Sequence, residues 1–173
     1  MRVPWLATVL LLFRRALASS INITIDDQKG DPTNGQKFIY DPPDAWASDS
    51  IDGCDGCLQP NLSTASAETF TGSLFSAHKH HNPSPPTAAV NFTGAEALLD
   101  SYIHLSGGSD MSFSIDGILA DTFQHTPTGL GGFESRSVFN SQRLSPGEHT
   151  LVISNGVVDG PNSLVILDSV VYS

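Results

Sequence analysis

The sequence predicts an all-β protein, an antiparallel β-sandwich or jelly roll built from about ten short strands. No long stretch after residue 20 keeps the i, i+3, i+4, i+7 spacing of apolar residues that is typical of an amphipathic helix. Short runs in which apolar and polar residues alternate recur instead, and each is closed by Gly, Pro, Asn or Asp. The chain of 173 residues contains 15 Gly and 11 Pro, which indicates many turns, and its length suits one domain.

The expected strands follow one another along the whole chain after its first twenty residues. In order they are Ile21–Asp26, Lys37–Tyr40, Glu68–Phe75, Ala88–Phe92, Ala97–Leu105, Met111–Asp116, Ile118–Gln124, Phe133–Phe139, His149–Ser154 and Leu164–Tyr172. The segment Asp41–Pro60 is the least regular, and we expect a long surface loop there.

Two of these runs carry the clearest local signals. In Met111–Asp116 every second residue is apolar, which buries one face of a strand and leaves the other in water. Asp116-Gly117 then separates this run from the next, and an Asp-Gly pair is typical of a type I′ hairpin turn. The last run, Leu164–Tyr172, is apolar at both parities, which predicts a central strand covered on both faces.

Residues 1–18 have the layout of a secretory signal peptide. Arg2 precedes an apolar run from Val3 to Phe13, and Ala16-Leu17-Ala18 is a small-x-small cleavage pattern. Eleven apolar residues in a helix reach about 16 Å, too short for the roughly 30 Å hydrocarbon core of a membrane. We therefore expect a secreted protein without a membrane span, in which residues 19–173 form the single β-sandwich domain.

Two further features fit an extracellular location. Asn22, Asn61 and Asn91 each begin an N-x-Ser/Thr glycosylation acceptor. The cysteines are Cys54 and Cys57, which we interpret as a local disulfide because an exported protein meets an oxidising environment. A redox pair would need a thioredoxin-like setting, and a zinc site would need further ligands.

The charge argues against nucleic-acid binding, and the missing motifs leave no specific reason to propose an enzyme. Eight Lys and Arg face 18 Asp and Glu, a net charge of −10, so no basic surface exists to neutralise nucleic-acid phosphates. The sequence has no Gly-x-Ser-x-Gly elbow, His-Glu-x-x-His, P-loop or dinucleotide fingerprint. We expect no cofactor, and an enzyme is the less favoured interpretation.

Trp46 lies in the Pro-rich segment and is the candidate ligand-binding aromatic. Tyr40, Asp44 and Asp49 are close to it in sequence. Aromatic faces stack on the C–H faces of sugars, while carboxylates accept hydrogen bonds from hydroxyls. In the alternative interpretation Trp46 closes one end of the sandwich beneath the loop.

Asp26, Asp27 and Asp168 lie in or beside the first and last expected strands. Because the two ends of a jelly roll often run close together, these carboxylates could meet. They would then bind Ca²⁺, or act as the acid pair of a glycosidase, or simply cap backbone N–H groups.

Several motifs, taken in order, resemble one family. They are Asn22-Ile-Thr-Ile-Asp-Asp27, Pro42-Pro43 before Trp46, Cys54-Asp-Gly-Cys57, Gly108-Ser-Asp-Met-Ser-Phe-Ser-Ile-Asp-Gly117, Gln124-His-Thr-Pro127, Leu144-Ser-Pro-Gly-Glu-His-Thr-Leu151 and Leu167-Asp-Ser-Val-Val-Tyr172. The chain resembles uncharacterised secreted or membrane-tethered proteins of mushroom-forming fungi, whose domain is similar to galactose-binding-like β-sandwiches. The resemblance spans nearly all of residues 19–173. It departs after Gly94, where relatives often have an aromatic strand, and in Glu68–Phe75, which lacks the Trp that many relatives carry.

These observations favour a secreted, non-catalytic module that binds extracellular glycans or cell-wall polysaccharide. The alternatives are an extracellular structural or interaction glycoprotein without a small ligand and a glycoside-active enzyme that uses Asp26, Asp27 or Asp168.

Overall fold

The computed structural model describes residues 21–50, 60, 65–66, 69–76, 84–141 and 143–173, with the backbone alone at residues 49 and 50. Eleven strands are formed within these ranges: β1 Ile23–Asp26, β2 Ile39–Asp41, β3 Ala47–Ser50, β4 Thr69–Phe75, β5 Thr87–Gly94, β6 Ala97–His104, β7 Ser109–Ile115, β8 Ile118–His125, β9 Phe133–Asn140, β10 Gly147–Asn155 and β11 Ser163–Tyr172. A 3₁₀ turn spans Pro43–Ala45.

The strands form two antiparallel sheets in jelly-roll order. Sheet A runs β3-β4-β11-β6-β9, and β1 also pairs with β11, whereas sheet B runs β2-β5-β10-β7-β8. From β4 to β11 the chain changes sheet at every connection except the β7–β8 hairpin, so the eight strands close on each other as two interleaved Greek keys. The predicted β-sandwich is therefore confirmed.

β11 is the central strand of sheet A. On one edge it pairs with β6 along most of its length. On the other edge β4 pairs with Ser163 to Leu167 and β1 pairs with Ser169 to Tyr172, so the two shorter strands lie end to end. This arrangement brings the first and last strands together, as expected for a jelly roll.

The core lies between the sheets and follows from strand alternation. Met111, Phe113 and Ile115 of β7 all point inward, as their spacing predicts. A second, smaller cluster of Phe70, Tyr102 and Ile166 lies apart from this main core. β11 contributes to both clusters, which explains why its sequence is apolar at both parities.

The hairpin prediction holds, but one loop prediction needs correction. Asp116 and Gly117 both have positive φ, 53° and 79°, as a type I′ turn requires. The segment Asp41–Pro60, expected to be loop, contains the 3₁₀ turn and β3, which pairs with β4 from Ala47 opposite Gly72 to Ser50 opposite Thr69. β3 is a short polar edge strand held by backbone hydrogen bonds, so its side chains gave no alternation to recognise.

Candidate functional site

Trp46 follows the 3₁₀ turn and packs into the sandwich rather than standing out from it. Its side chain is only 8% exposed and belongs to the main core. The indole ring lies 5.1 Å from the Tyr40 ring, and Tyr40 in turn stacks on Phe38 at 6.1 Å. This position agrees with the interpretation that Trp46 closes one end of the sandwich, and it leaves no broad indole face open to solvent.

A cleft of about 540 Å³ nevertheless opens beside Trp46. Its wall is mainly apolar, with an exposed carboxylate at the rim, and includes Pro42, Asp44, Trp46, Leu74, Phe75 and Pro86. The indole Nε1 of Trp46 is buried and has no acceptor among the described residues. Tyr40 packs against the Trp46 ring and is not part of the cleft lining. The side chain of Asp49 lies outside the described residues.

Asp26, Asp27 and Asp168 come together where β1 ends and β4 begins beside β11. Asp168 lies at an irregularity in the pairing of β11 with β6, and its carbonyl accepts a hydrogen bond from the Asp27 N–H at 3.1 Å. The Thr69 hydroxyl lies 3.1 Å from Asp26 Oδ1 and 3.3 Å from Asp27 Oδ1, so it bridges the two carboxyl groups. All three aspartates are buried.

Each of these carboxyl groups has a protein donor. Asp26 Oδ1 accepts the backbone N–H of Gln28 at 3.1 Å and of Lys29 at 2.7 Å, closing the turn after β1. Asp27 Oδ2 accepts the hydroxyl of Thr71. Asp168 Oδ1 accepts the backbone N–H of Ser66 at 2.7 Å. The capping interpretation of the aspartates therefore has direct geometric support.

Burial also changes the acidity of two members of this cluster. Desolvation raises the pKa of Asp27 to about 7, and the nearby charges of Asp26 and Asp168 add to the shift against the hydrogen bond from Thr71. Desolvation likewise raises the pKa of Asp168 to about 6, with Asp100 and Asp26 as the charged neighbours. The cluster can thus hold protons near neutral pH.

The geometry gives the calcium hypothesis no support. Within the described parts of the chain, no group of three or more His, Cys, Asp or Glu side chains is arranged to hold a metal ion. A calcium site uses six to eight oxygen ligands around one point, whereas these carboxylates are directed at separate protein donors.

The remaining predicted residues divide between the surface and the part of the chain that is not described. Asn22 and Asn91 are exposed, as glycosylation would require. Asn61, Cys54, Cys57 and residues 1–18, where a signal peptide is expected, lie outside the described residues.

Sequence reasoning missed a buried histidine beside a second cleft, of about 610 Å³, between β8 and β9. His149 Nδ1 lies 2.7 Å from Asp116 Oδ2, and its Nε2 lies 2.7 Å from the Ser145 carbonyl. Hydrogen bonding to Asp116 and then to Ser145 raises the pKa of His149. The signal was present in the sequence, because His149 shares the parity of the inward-facing Leu151 and Ile153.

Comparison with known proteins gives matches among solved structures only. No family model matches the chain, and no curated protein does. A family 35 carbohydrate binding module from Clostridium thermocellum is 10% identical over 87% of this chain and 98% of its own, with a TM-score of 0.48. An exo-β-1,3-galactanase from Phanerochaete chrysosporium is 14% identical over 90% of this chain, with a TM-score of 0.48. A cycloisomaltooligosaccharide glucanotransferase from Paenibacillus sp. is 14% identical over 73% of this chain, with a TM-score of 0.47.

The chain spans 30% of the length of the galactanase chain and 16% of that of the glucanotransferase chain. These similarities concern the β-sandwich architecture, so the function has to be argued from the clefts and residues of this chain.

Proposed function

We propose that this protein is a secreted, non-catalytic module that binds extracellular carbohydrate or cell-wall polysaccharide in the Trp46 cleft. The observation that carries the proposal is the cleft itself, in which apolar side chains and an indole edge lie beside the exposed carboxylate of Asp44. A sugar offers the matching chemistry, because its C–H groups pack on apolar surface while its hydroxyls donate to carboxylates.

A non-catalytic role is supported by the burial and the hydrogen bonding of the three aspartates. Asp26, Asp27 and Asp168 are all buried, so a polymeric substrate has no approach to them. Their oxygens are also occupied by backbone and hydroxyl donors, as expected of groups that stabilise a fold.

The proposal is tested by applying the exported protein to an array of plant, fungal and bacterial glycans. The site variants are Asp44→Ala and Leu74→Ala, because both side chains are exposed and line the cleft. Leu119→Ala is the matched control, since Leu119 is as exposed as Leu74 but lies on β8, away from the cleft. Trp46 is a poor choice because its removal would leave a cavity in the core.

We expect binding to at least one glycan class, weakened about tenfold by each site variant and unchanged by the control. An array that stays blank, with a far-UV spectrum of intact β-structure, would overturn the proposal. Binding lost in Leu119→Ala but kept in Leu74→Ala would move the site to the cleft between β8 and β9.

The exposed edge strand β8 favours the second candidate, an interaction protein without a small ligand. Ile118 and Leu119 are 74% and 66% exposed next to the unpaired edge of sheet B. Retention on isolated cell walls that soluble sugars do not compete away would support this candidate over the first.

A further inference from the structure

A third cleft, of about 440 Å³, lies at the loop end of the sandwich, where β8 ends and β7 and β11 begin. We call it the His125 cleft, and its lining includes Asp110, Gln124, His125, Thr126, Pro127 and Asn162. Four of these side chains carry uncharged groups that can form hydrogen bonds, and the other two are a carboxylate and a proline ring. Much of the wall is apolar, as it is in the Trp46 cleft, but the His125 cleft presents more side chains that can form hydrogen bonds.

His125, which lines this cleft, has a buried ring nitrogen, Nε2, that lacks a hydrogen-bond partner among the described residues. A buried polar atom without a partner destabilises the protein, so such an atom beside a cleft indicates a ligand that completes it. A hydroxyl group suits either tautomer of the ring, because it can both donate and accept.

The charge of the lining narrows the class of ligand. Asp110 lines the cleft and accepts a hydrogen bond from Gln124 Nε2 at 3.2 Å, while no Lys or Arg is among the lining residues that the structure describes. A phosphate, sulfate or carboxylate would meet a like charge there without a cation to offset it. A neutral, hydroxyl-rich ligand fits the side chains that are present.

The His125 cleft and the Trp46 cleft adjoin each other at the same end of the molecule. Phe75, in the wall of the Trp46 cleft, pairs with Ser163, which is one strand spacing of about 4.8 Å away. The Ser163 hydroxyl accepts from the Asp110 N–H at 2.8 Å and donates to the Asp110 carbonyl at 3.0 Å. Asp110 in turn lines the His125 cleft.

Gly156 lies between Phe75 of the Trp46 cleft and Asp110 of the His125 cleft. Its N–H donates to the Asp110 carbonyl at 2.7 Å, and a Cβ at this position would lie 2.2 Å from the Phe75 ring. The backbone at Gly156 therefore packs on Phe75 and bonds to Asp110, so it connects the walls of the two clefts.

From this juxtaposition we infer that the two clefts are parts of one extended site that holds several consecutive sugar units of an oligosaccharide chain. Apolar surface of the Trp46 cleft packs against one part of the chain, and the hydrogen-bonding side chains of the His125 cleft bind hydroxyls of another part. This inference rests on the proposed function and adds to it the size of the ligand and a second set of contact residues.

The test is isothermal titration calorimetry of the full exported protein with laminari-, cello-, chito- and galacto-oligosaccharides of one to six units. Gln124→Ala and His125→Ala probe the His125 cleft, and Leu74→Ala probes the Trp46 cleft. Thr122→Ala is the matched control, because Thr122 is exposed on β8 close to His125 but lines neither cleft. Gln124 is also exposed, so at least one variant of the His125 cleft keeps the fold, and thermal unfolding of each variant verifies this.

We expect the affinity to rise with chain length and variants at both clefts to weaken the same long oligosaccharide by about fivefold to tenfold, with no effect of Thr122→Ala. If oligosaccharides bind but only Leu74→Ala weakens them, the extended site is wrong and the proposed function stands. If only Gln124→Ala and His125→Ala weaken them, the extended site is wrong and so is the assignment of binding to the Trp46 cleft. If no oligosaccharide binds the folded protein, the proposed function fails, and the extended site fails with it.

Discussion

Asp27 shows at the residue scale how position can set the acidity of a side chain more strongly than residue type. It follows β1 directly, where the chain turns beneath β4, and it is enclosed by Thr69, Thr71 and Tyr40. An aspartate at the surface would titrate near 4, whereas burial raises the pKa of this one to about 7. The folded state therefore binds a proton here more tightly than the unfolded state does.

The first prediction concerns Asp27 and pH. Because its pKa is raised on folding, its contribution to stability is complete below about pH 4 and is lost as the pH rises through about 7. Wild-type protein should lose up to roughly 4 kcal/mol of unfolding free energy from this group between pH 4 and pH 8. Asp27→Asn should flatten the dependence and be the more stable form at pH 8, measured by urea unfolding. Asp44→Asn, an exposed change of the same kind, is the control, and parallel profiles of wild type and Asp27→Asn would refute the assignment.

The second prediction concerns the charge of His149. Both ring nitrogens face oxygen atoms, so the protonated ring, which carries hydrogen on both nitrogens, satisfies both contacts. Its stabilising effect is present below the usual pKa of about 6.5 and is lost as the pH rises through the raised value. Asp116→Asn should lower the pKa of His149, as read from ¹⁵N shifts of the ring. An identical titration in wild type and variant would show that Asp116 does not hold the proton.

At the scale of elements, the β7–β8 hairpin depends on backbone conformation more than on contacts. Gly117 has φ of 79° and no atom within 4 Å of an added Cβ, so a side chain there has room but an unfavourable conformation. We predict that Gly117→Ala destabilises the protein by about 1 kcal/mol. Gly131→Ala is the matched control, because Gly131 has equal room without a positive φ. Equal melting temperatures for the two variants would contradict this explanation.

β9 is one edge of sheet A and β8 is one edge of sheet B, and each has an irregular pairing with its inner neighbour. Such bulges bend an edge and hinder the addition of another strand, so they reduce edge-to-edge aggregation. Ile118 and Leu119 remain exposed in spite of this, which leaves apolar side chains beside the unpaired edge of β8.

At the scale of the whole molecule, the last prediction concerns removal of the signal peptide and glycosylation. Asn22 and Asn91 are exposed, and Asn91 lies on the solvent side of β5. We predict that protein exported from a eukaryotic host begins near Ser19 and carries N-glycans at both positions. Intact mass before and after enzymatic deglycosylation measures this, and Asn91→Gln should remove one glycan. A chain that begins at Met1, or a mass that deglycosylation leaves unchanged, would contradict the secretory assignment.

Among the described residues no helix is long and apolar enough to cross a membrane.

The sequence by itself determined the fold class and most of the strands. The alternation of apolar and polar residues predicts which side chains of β7 and β10 face inward, whatever strands they pair with. This is because successive side chains of a strand point to opposite faces. Asp116-Gly117 likewise determines its turn locally, since positive φ is a property of those residues themselves. β3 could not be recognised because its pairing with β4 uses backbone groups that every sequence contains.

Only the tertiary structure decided how the candidate site residues are used. Whether Trp46 stacks on a ligand or fills the end of the sandwich depends on Tyr40 and on the way the 3₁₀ turn enters the core. The pKa of Asp27 depends on burial beneath β4, which lies more than forty residues further along the chain. The closeness of the Trp46 and His125 clefts likewise requires the end of β4 to lie near the first residues of β7 and β11. Such long-range placement arises from sheet pairing, which no local pattern of residues encodes.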